Sequence, residues 1–210
     1  MNTIKLIGTV LEKPEYSHEV LGEKFYKFTI DTKRRSGYAD VLICVASELL
    51  VSGVEVNSRV AIDGEIRTRN CNDDNGKRHL HIEVFCDEII HSECTYDLNE
   101  VNVIGFLCRK PTLRETPLGR EIGETMLASN REKVHRADYI PIISWSRNAQ
   151  RMAMLDVGEK VNVSGRLQSR IYKKILENGL EELKTAYEVS VVSFFKEGEE
   201  NEWKNMKMNV

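Results

Sequence analysis

Apolar residues recur at every second position over much of the chain. Ile4, Leu6 and Val10 alternate with polar neighbours, and Gly8 interrupts the series. The same spacing returns in Val60, Ile62, Gly64 and Ile66, and again in Val161, Val163, Gly165 and Leu167. A period of two places these side chains on one face of a β-strand, and a glycine inside such a run marks a bulge or a tight bend. Asn75-Gly76 and Asn178-Gly179 lie in polar stretches between strands, where that dipeptide signals a hairpin. One segment changes period. From Ser146 to Leu155, Ala149, Met152 and Ala153 fall on one side of a short predicted helix, with Ser146 as its N-cap and Asp156-Val157-Gly158 as its end.

The pattern also repeats on a longer scale. Ile4-Lys5-Leu6-Ile7-Gly8 with Lys13-Pro14 returns as Val101-Asn102-Val103-Ile104-Gly105 with Lys110-Pro111, and Leu21-Gly22 returns as Leu118-Gly119, both at an offset of 97. Val60 to Arg69 matches Val161 to Arg170 at 101, and Glu83-Val84 matches Glu188-Val189 at 105. The offset grows only between strands, as loop insertions make it grow. Two units of about 100 residues are too long and too few for a solenoid, so each is expected to fold as a domain. The expected division is residues 1–97, residues 98–196 and a short charged tail, 197–210. Each repeat reads as five strands with one short helix between the third and fourth. The predicted fold class is therefore all-β: two tandem OB-fold barrels of five strands, each with that helix.

Net charge is −3, but it is unevenly spread. Residues 1–97 hold 12 basic and 17 acidic side chains, whereas residues 98–196 hold 16 and 12. Charge therefore favours the second repeat for contact with phosphates. No run of eighteen apolar residues predicts a membrane span, and Met1-Asn2-Thr3-Ile4-Lys5 does not read as a secretory signal. Five cysteines without a CxxC pair suit reduced thiols, and a cytoplasmic location is expected.

The second repeat resembles the bacterial and phage single-stranded DNA-binding proteins. The resemblance rests on Asn102-Val103-Ile104-Gly105, Lys110-Pro111, Ala137 to Trp145, Asn148-Ala149, Gly158 to Tyr172 and Tyr187-Glu188-Val189. The first repeat is similar but keeps fewer landmarks, mainly Lys5 to Gly8, Pro14, Gly22 and Val60 to Arg69. The resemblance implies binding of single strands in replication, repair and recombination, without strong sequence preference, catalysis or cofactor. It also implies a homodimer presenting four OB domains, and contacts with replication or repair proteins.

An aromatic ring stacks on any base and a neighbouring Lys or Arg meets the phosphate, which is how such surfaces hold a strand regardless of sequence. By the resemblance, Tyr139, Trp145 and Tyr172 fall at or near stacking positions. The basic candidates around them are Arg131, Arg136, Arg147, Arg166, Arg170, Lys173 and Lys174, with Arg166 and Arg170 sharing one side of a strand. The first repeat departs at these points: Ser47 stands opposite Trp145 and Cys71 opposite Tyr172. Its expected role is weak binding or support. The tail, acidic and then basic, lacks the hydrophobic tip usual in the family.

Other chemistries are less well supported by the residues. Cys71, His79, His81 and Cys86 lack the paired spacing of structural zinc. Asp73-Asp74 beside Asn75-Gly76 is too short for a calcium loop. No nucleotide loop or nucleophile motif is present. Two alternatives remain open at this point: a protein-interaction module that keeps the OB fold, and single-stranded RNA binding.

Overall fold

The computed structural model describes residues 1–72, 76–131, 134–175 and 181–198. Asn75, Asn178-Gly179 and the segment 199–210 lie outside the described residues, and with them the sequence expectations placed there. The fold is all-β, two OB-type domains with one short helix among the described residues. The chain forms two compact units. One gathers residues 4–99 and 167–188 and is built on the first repeat; the other gathers residues 1–3, 100–166 and the segment from 189 onward, and is built on the second.

In the unit built on the first repeat, six strands appear in order: β1 (Asn2–Val10), β2 (Glu15–Val20), β3 (Glu23–Lys33), β4 (Ala39–Ser47), β5 (Arg59–Asn72) and β6 (Arg78–His91). β1 pairs antiparallel with β5 and, at Thr9 and Val10, with β3. β3 pairs with β4, β4 runs parallel to β6 at Cys44 and Val45, and β6 pairs with β5. The pairings thus pass β1–β3–β4–β6–β5 and return to β1. Alternating side chains from these strands, including Ile4, Leu6, Phe28, Ile30, Leu42, Ile62, Ile66 and Val84, are almost wholly buried and make the core. β2 and β3 join through Leu21-Gly22, both at positive φ, the type I′ geometry whose twist matches that of the strands.

The second repeat supplies β7 (Leu98–Leu107), β8 (Thr112–Glu115), β9 (Glu121–Asn130), β10 (Ala137–Trp145), α1 (Arg147–Ala153), β11 (Lys160–Ile175) and β12 (Glu181–Lys196). In its unit β7 pairs with β9 and β11, β9 with β10, and β10 runs parallel to β12, which neighbours β11. Val101, Val103, Leu107, Leu127, Ile140, Ile142, Val161, Val163 and Phe194 fill the core, and α1 adds Ala149 and Met152. Residues 1–3 belong here: the Ile104 N–H donates to the Met1 carbonyl at 2.8 Å.

Four of the strand glycines sit where another backbone passes. A methyl at Gly8 or Gly64 would lie 2.2 Å from the carbonyl oxygen of Asp31 or Phe85. At Gly105 or Gly165 it would lie 2.3 Å from that of Ala128 or Ser190. Gly64 coincides with a register shift, against β6. Gly8 and Gly105 allow close approach between strands within pairings of unbroken register.

One expectation is corrected. The first repeat has no helix between β4 and β5; residues 48–53 form successive turns. The connection there runs over residues 48–58, three fewer than the 146–159 connection of the second repeat, and three residues is close to one helical turn. Gly53, at φ 93°, ends the turns where α1 continues. Where the helix does form, Ser146 precedes it but its hydroxyl makes no capping hydrogen bond.

Candidate nucleic-acid interface

β10 places two predicted side chains on one face. Ile140 and Ile142 point inward and are buried, so the period of two turns Tyr139, Pro141, Ile143 and Trp145 the other way. Tyr139, at the start of the strand, is 48 % exposed. Trp145, at its end, is half-buried, and its indole N–H donates to the Ser190 hydroxyl on β12 at 3.2 Å.

Register joins Tyr139 to residues not singled out from the sequence. Tyr139 lies opposite Ala128 on β9, Ala128 opposite Phe106 on β7, and Phe106 opposite Lys160 on β11. Directly opposed residues share a sheet face, so Lys160, Phe106, Ala128 and Tyr139 form one row across four strands. Neighbouring strands lie about 4.8 Å apart, which sets the two rings roughly 10 Å from each other across the small Ala128. Phe106 is 43 % exposed, and the Lys160 ammonium lies 5.9 Å from its ring centre while pairing with Glu197 at 2.6 Å. The signal for Phe106 was available: Val103, Gly105 and Leu107 alternate inward, so an aromatic at 106 must face out. The first repeat has Thr9 at the matching position, so the comparison of repeats does not mark it.

Several basic side chains of this repeat, the candidate Arg131 among them, already hold carboxylates. Arg131 grips the buried Asp138 with two bonds, Nε to Oδ2 at 2.8 Å and Nη2 to Oδ1 at 2.7 Å. Arg114 grips Glu124 in the same way, and Lys110 meets Asp156 at 2.7 Å. Arg136 and Arg147 are exposed, Arg147 as the first residue of α1, and Arg166 is half-exposed on β11. All of these residues belong to the unit built on the second repeat.

The remaining predicted residues lie on the distal halves of β11 and β12, within the other unit. Tyr172 is 37 % exposed, with the Arg170 guanidinium 5.7 Å from its ring centre. Arg170 also approaches Glu188 at 3.5 Å, and Glu188 accepts from Gln168 at 2.7 Å. Lys173 pairs with Glu181 at 2.6 Å; the side chain of Lys174 lies outside the described residues. Nearby, burial pushes the Tyr187 hydroxyl above its ordinary value.

The first repeat arranges its own aromatics differently. Ser47 ends β4 where Trp145 ends β10, while Phe85 on β6 stands where β12 has Ser190. The large ring has moved to the adjacent strand. Phe85 packs against Phe25 at 5.7 Å, Phe25 is stacked by His18 at 5.1 Å, and Arg67 lies 4.8 Å over Phe85 while paired with Glu65. Phe25 is buried within this stack, whereas Tyr16, Tyr38 and Tyr96 of the same repeat are more than half exposed. The five cysteines are free thiols, and His81 lies 2.8 Å from Glu83.

The sequence matches the model of the single-strand binding protein family twice, over residues 1–92 and 98–195. The chain belongs to that family. Similar curated proteins include single-stranded DNA-binding protein A of Bacillus subtilis, 38 % identical over 82 residues, covering 36 % of this chain and 48 % of that protein. The single-stranded DNA-binding protein of Oceanobacillus iheyensis is 34 % identical over 102 residues, covering 46 % and 60 % respectively. The match thus spans about half the length of such relatives. Among solved structures, the wild-type single-stranded DNA binding protein from Thermus aquaticus shares the fold, with a TM-score of 0.74, 20 % identity, and coverage of 93 % of this chain and 92 % of that one.

Proposed function

We propose that the chain binds single-stranded DNA without strong sequence preference and without catalysing a reaction, serving replication, repair or recombination. The observation that carries this reading is the row Lys160–Phe106–Ala128–Tyr139, with Trp145 further along the Tyr139 strand. Exposed rings on a rigid sheet stack on bases of any identity, and Arg136, Arg147 and Arg166 supply charge for the phosphates. Tyr172, Arg170, Lys173 and Lys174 extend the set from the distal hairpin. Arg131, engaged by Asp138, serves this surface by fixing the start of β10. Family membership supports the same ligand.

In this reading residues 98–196 form the main binding domain, residues 1–97 a divergent domain of weak or structural role, and 197–210 a charged tail. Each ring of strand pairings is read as a closed OB barrel. Two copies of the chain would present four such barrels. No helix among the described residues is long and apolar enough to cross a membrane.

A retardation assay tests the proposal. A labelled single strand of about 35 nucleotides, long enough for two OB domains, should be shifted, and unlabelled single strands of mixed sequence should compete while duplex of equal length should not. Equal competition by duplex, or no shift at low salt, would contradict it. An RNA strand of the same sequence, used as competitor, separates DNA preference from general single-strand binding.

A further inference from the structure

β11 loses one of its two neighbouring strands midway. Its pairing with β7 ends at Gly165 opposite Val101, and beyond that point the peptide groups of Leu167 and Ser169 need other partners. Side chains of residues 4–99, in the same compact unit, provide them. The Asn99 carboxamide accepts the Leu167 N–H at 2.9 Å and donates to the Leu167 carbonyl at 2.8 Å, the pair of bonds a neighbouring peptide would make. Its Nδ2 also lies 3.2 Å from the Thr32 hydroxyl, which ties it to β3.

Two residues along, the arrangement recurs with different groups. Asp40 Oδ1 accepts the Ser169 N–H at 2.8 Å, Arg34 Nη2 donates to the Ser169 carbonyl at 3.4 Å, and the Val41 N–H donates to the Ser169 hydroxyl at 3.0 Å. Asp40 is wholly buried and is itself gripped by Arg34 through Nε, at 2.8 Å, and Nη2. Arg34 thus holds the carboxylate in place against the strand. Arg170 and Tyr172 follow one and three residues after Ser169 on this strand.

We infer that Asn99 and Asp40 are positioning residues for single-strand binding: by holding the backbone of Leu167 and Ser169 they aim Arg170 and Tyr172. The first repeat, through Asp40 and Arg34, then contributes to binding by helping to hold this strand. This inference rests on the proposed single-stranded DNA binding.

The test is a double-mutant cycle in the full chain, read as the Kd for an oligothymidine of about 35 nucleotides. Asn99→Ala should weaken binding about tenfold in the otherwise unaltered chain, but less than about twofold when Arg170→Ala and Tyr172→Ala are already present. Amide hydrogen exchange on Asn99→Ala should show lost protection at Leu167 and through residues 169–175, with β10 amides unchanged. Asp40→Asn, which keeps shape and an acceptor but loses the charge that holds Arg34, should give the same pattern. If either variant fails to fold, the other carries the cycle. Equal losses in both backgrounds, or arm amides as protected as before, overturn the inference while leaving binding intact. Failure of the unaltered chain to bind overturns the proposed function and this inference together, and the exchange data still report whether Asn99 holds the hairpin.

Discussion

Tyr139 and Phe106 owe their exposure to their neighbours. Ile140 and Leu107 are drawn into the core, and alternation leaves the residues beside them facing out. Removing one stacking ring costs about 1–3 kcal/mol per base. Tyr139→Ala and Phe106→Ala should therefore each raise the Kd for oligothymidine roughly tenfold, with only modest falls in melting temperature, since each residue is about half exposed. Arg131 should behave in the opposite way. Its guanidinium is 19 % exposed and its partner Asp138 is 1 % exposed, so Arg131→Met leaves a buried carboxylate without its main counter-charge. Breaking a buried pair typically costs about 3–5 kcal/mol, and urea denaturation should show a loss of that order. Glu83 offers a pH test. Burial alone would raise its carboxyl, but the hydrogen bond from His81 and the charges of His81, Arg69 and His18 outweigh that and hold it below the usual range. A carboxylate held low in the folded chain stabilises fully above the unfolded value, and the gain is lost as pH falls through the folded one. The stability difference between parent and Glu83→Gln, measured by denaturation, should shrink between about pH 6 and pH 3. A difference that grows on acidification would contradict the assignment.

At the level of elements, the strand glycines are the sites where sequence and structure meet most directly. Gly8 and Gly105, Gly64 and Gly165 were legible as interruptions in alternating runs, and each lies under a crossing carbonyl. Gly165→Ala would set its methyl 2.3 Å from the Ser190 oxygen, closer than any real contact, and backbone must move to relieve it. Overpacking of this kind costs about 1–3 kcal/mol, to be read from thermal or urea unfolding; a neutral substitution would mean the strands are not in this register. The strands themselves were legible because burial imposes period two on both repeats. The helix in the first repeat was expected by analogy with the second, and it failed because its connection is three residues shorter. Hydrophobic pattern does not report connection length against helical pitch. Phe106 was missed for a related reason: it lies on a strand whose counterpart in the first repeat carries no ring, so comparing repeats drew attention away from it.

Over the whole chain, duplication was the most readable feature and its consequences the least. Matching landmarks at offsets of 97 to 105 announced two domains of one kind, and the family match falls twice on the chain at residues 1–92 and 98–195. What sequence cannot announce is that residues 167–188, which belong to the second repeat, fold into a compact unit with residues 4–99. Within that unit Asn99 and Asp40 meet backbone groups far along the chain, and neither residue is unusual in its local pattern. Charge also reads differently at this scale. Several of the 16 basic groups in residues 98–196 are engaged in pairs such as Arg131–Asp138, Arg114–Glu124 and Lys160–Glu197. Phosphate contacts should accordingly be few. Single-strand binding loses affinity with salt in proportion to those contacts, at about 0.7 per phosphate in a double-logarithmic plot. The most direct test is a titration of a Trp203→Phe chain, whose remaining indole is Trp145, with oligothymidine at two salt concentrations and a duplex control. Saturable quenching that weakens at higher salt and is absent with duplex is the predicted result. Unchanged Trp145 fluorescence at low salt, with no strand retained, would contradict the assignment of this face to single-stranded DNA.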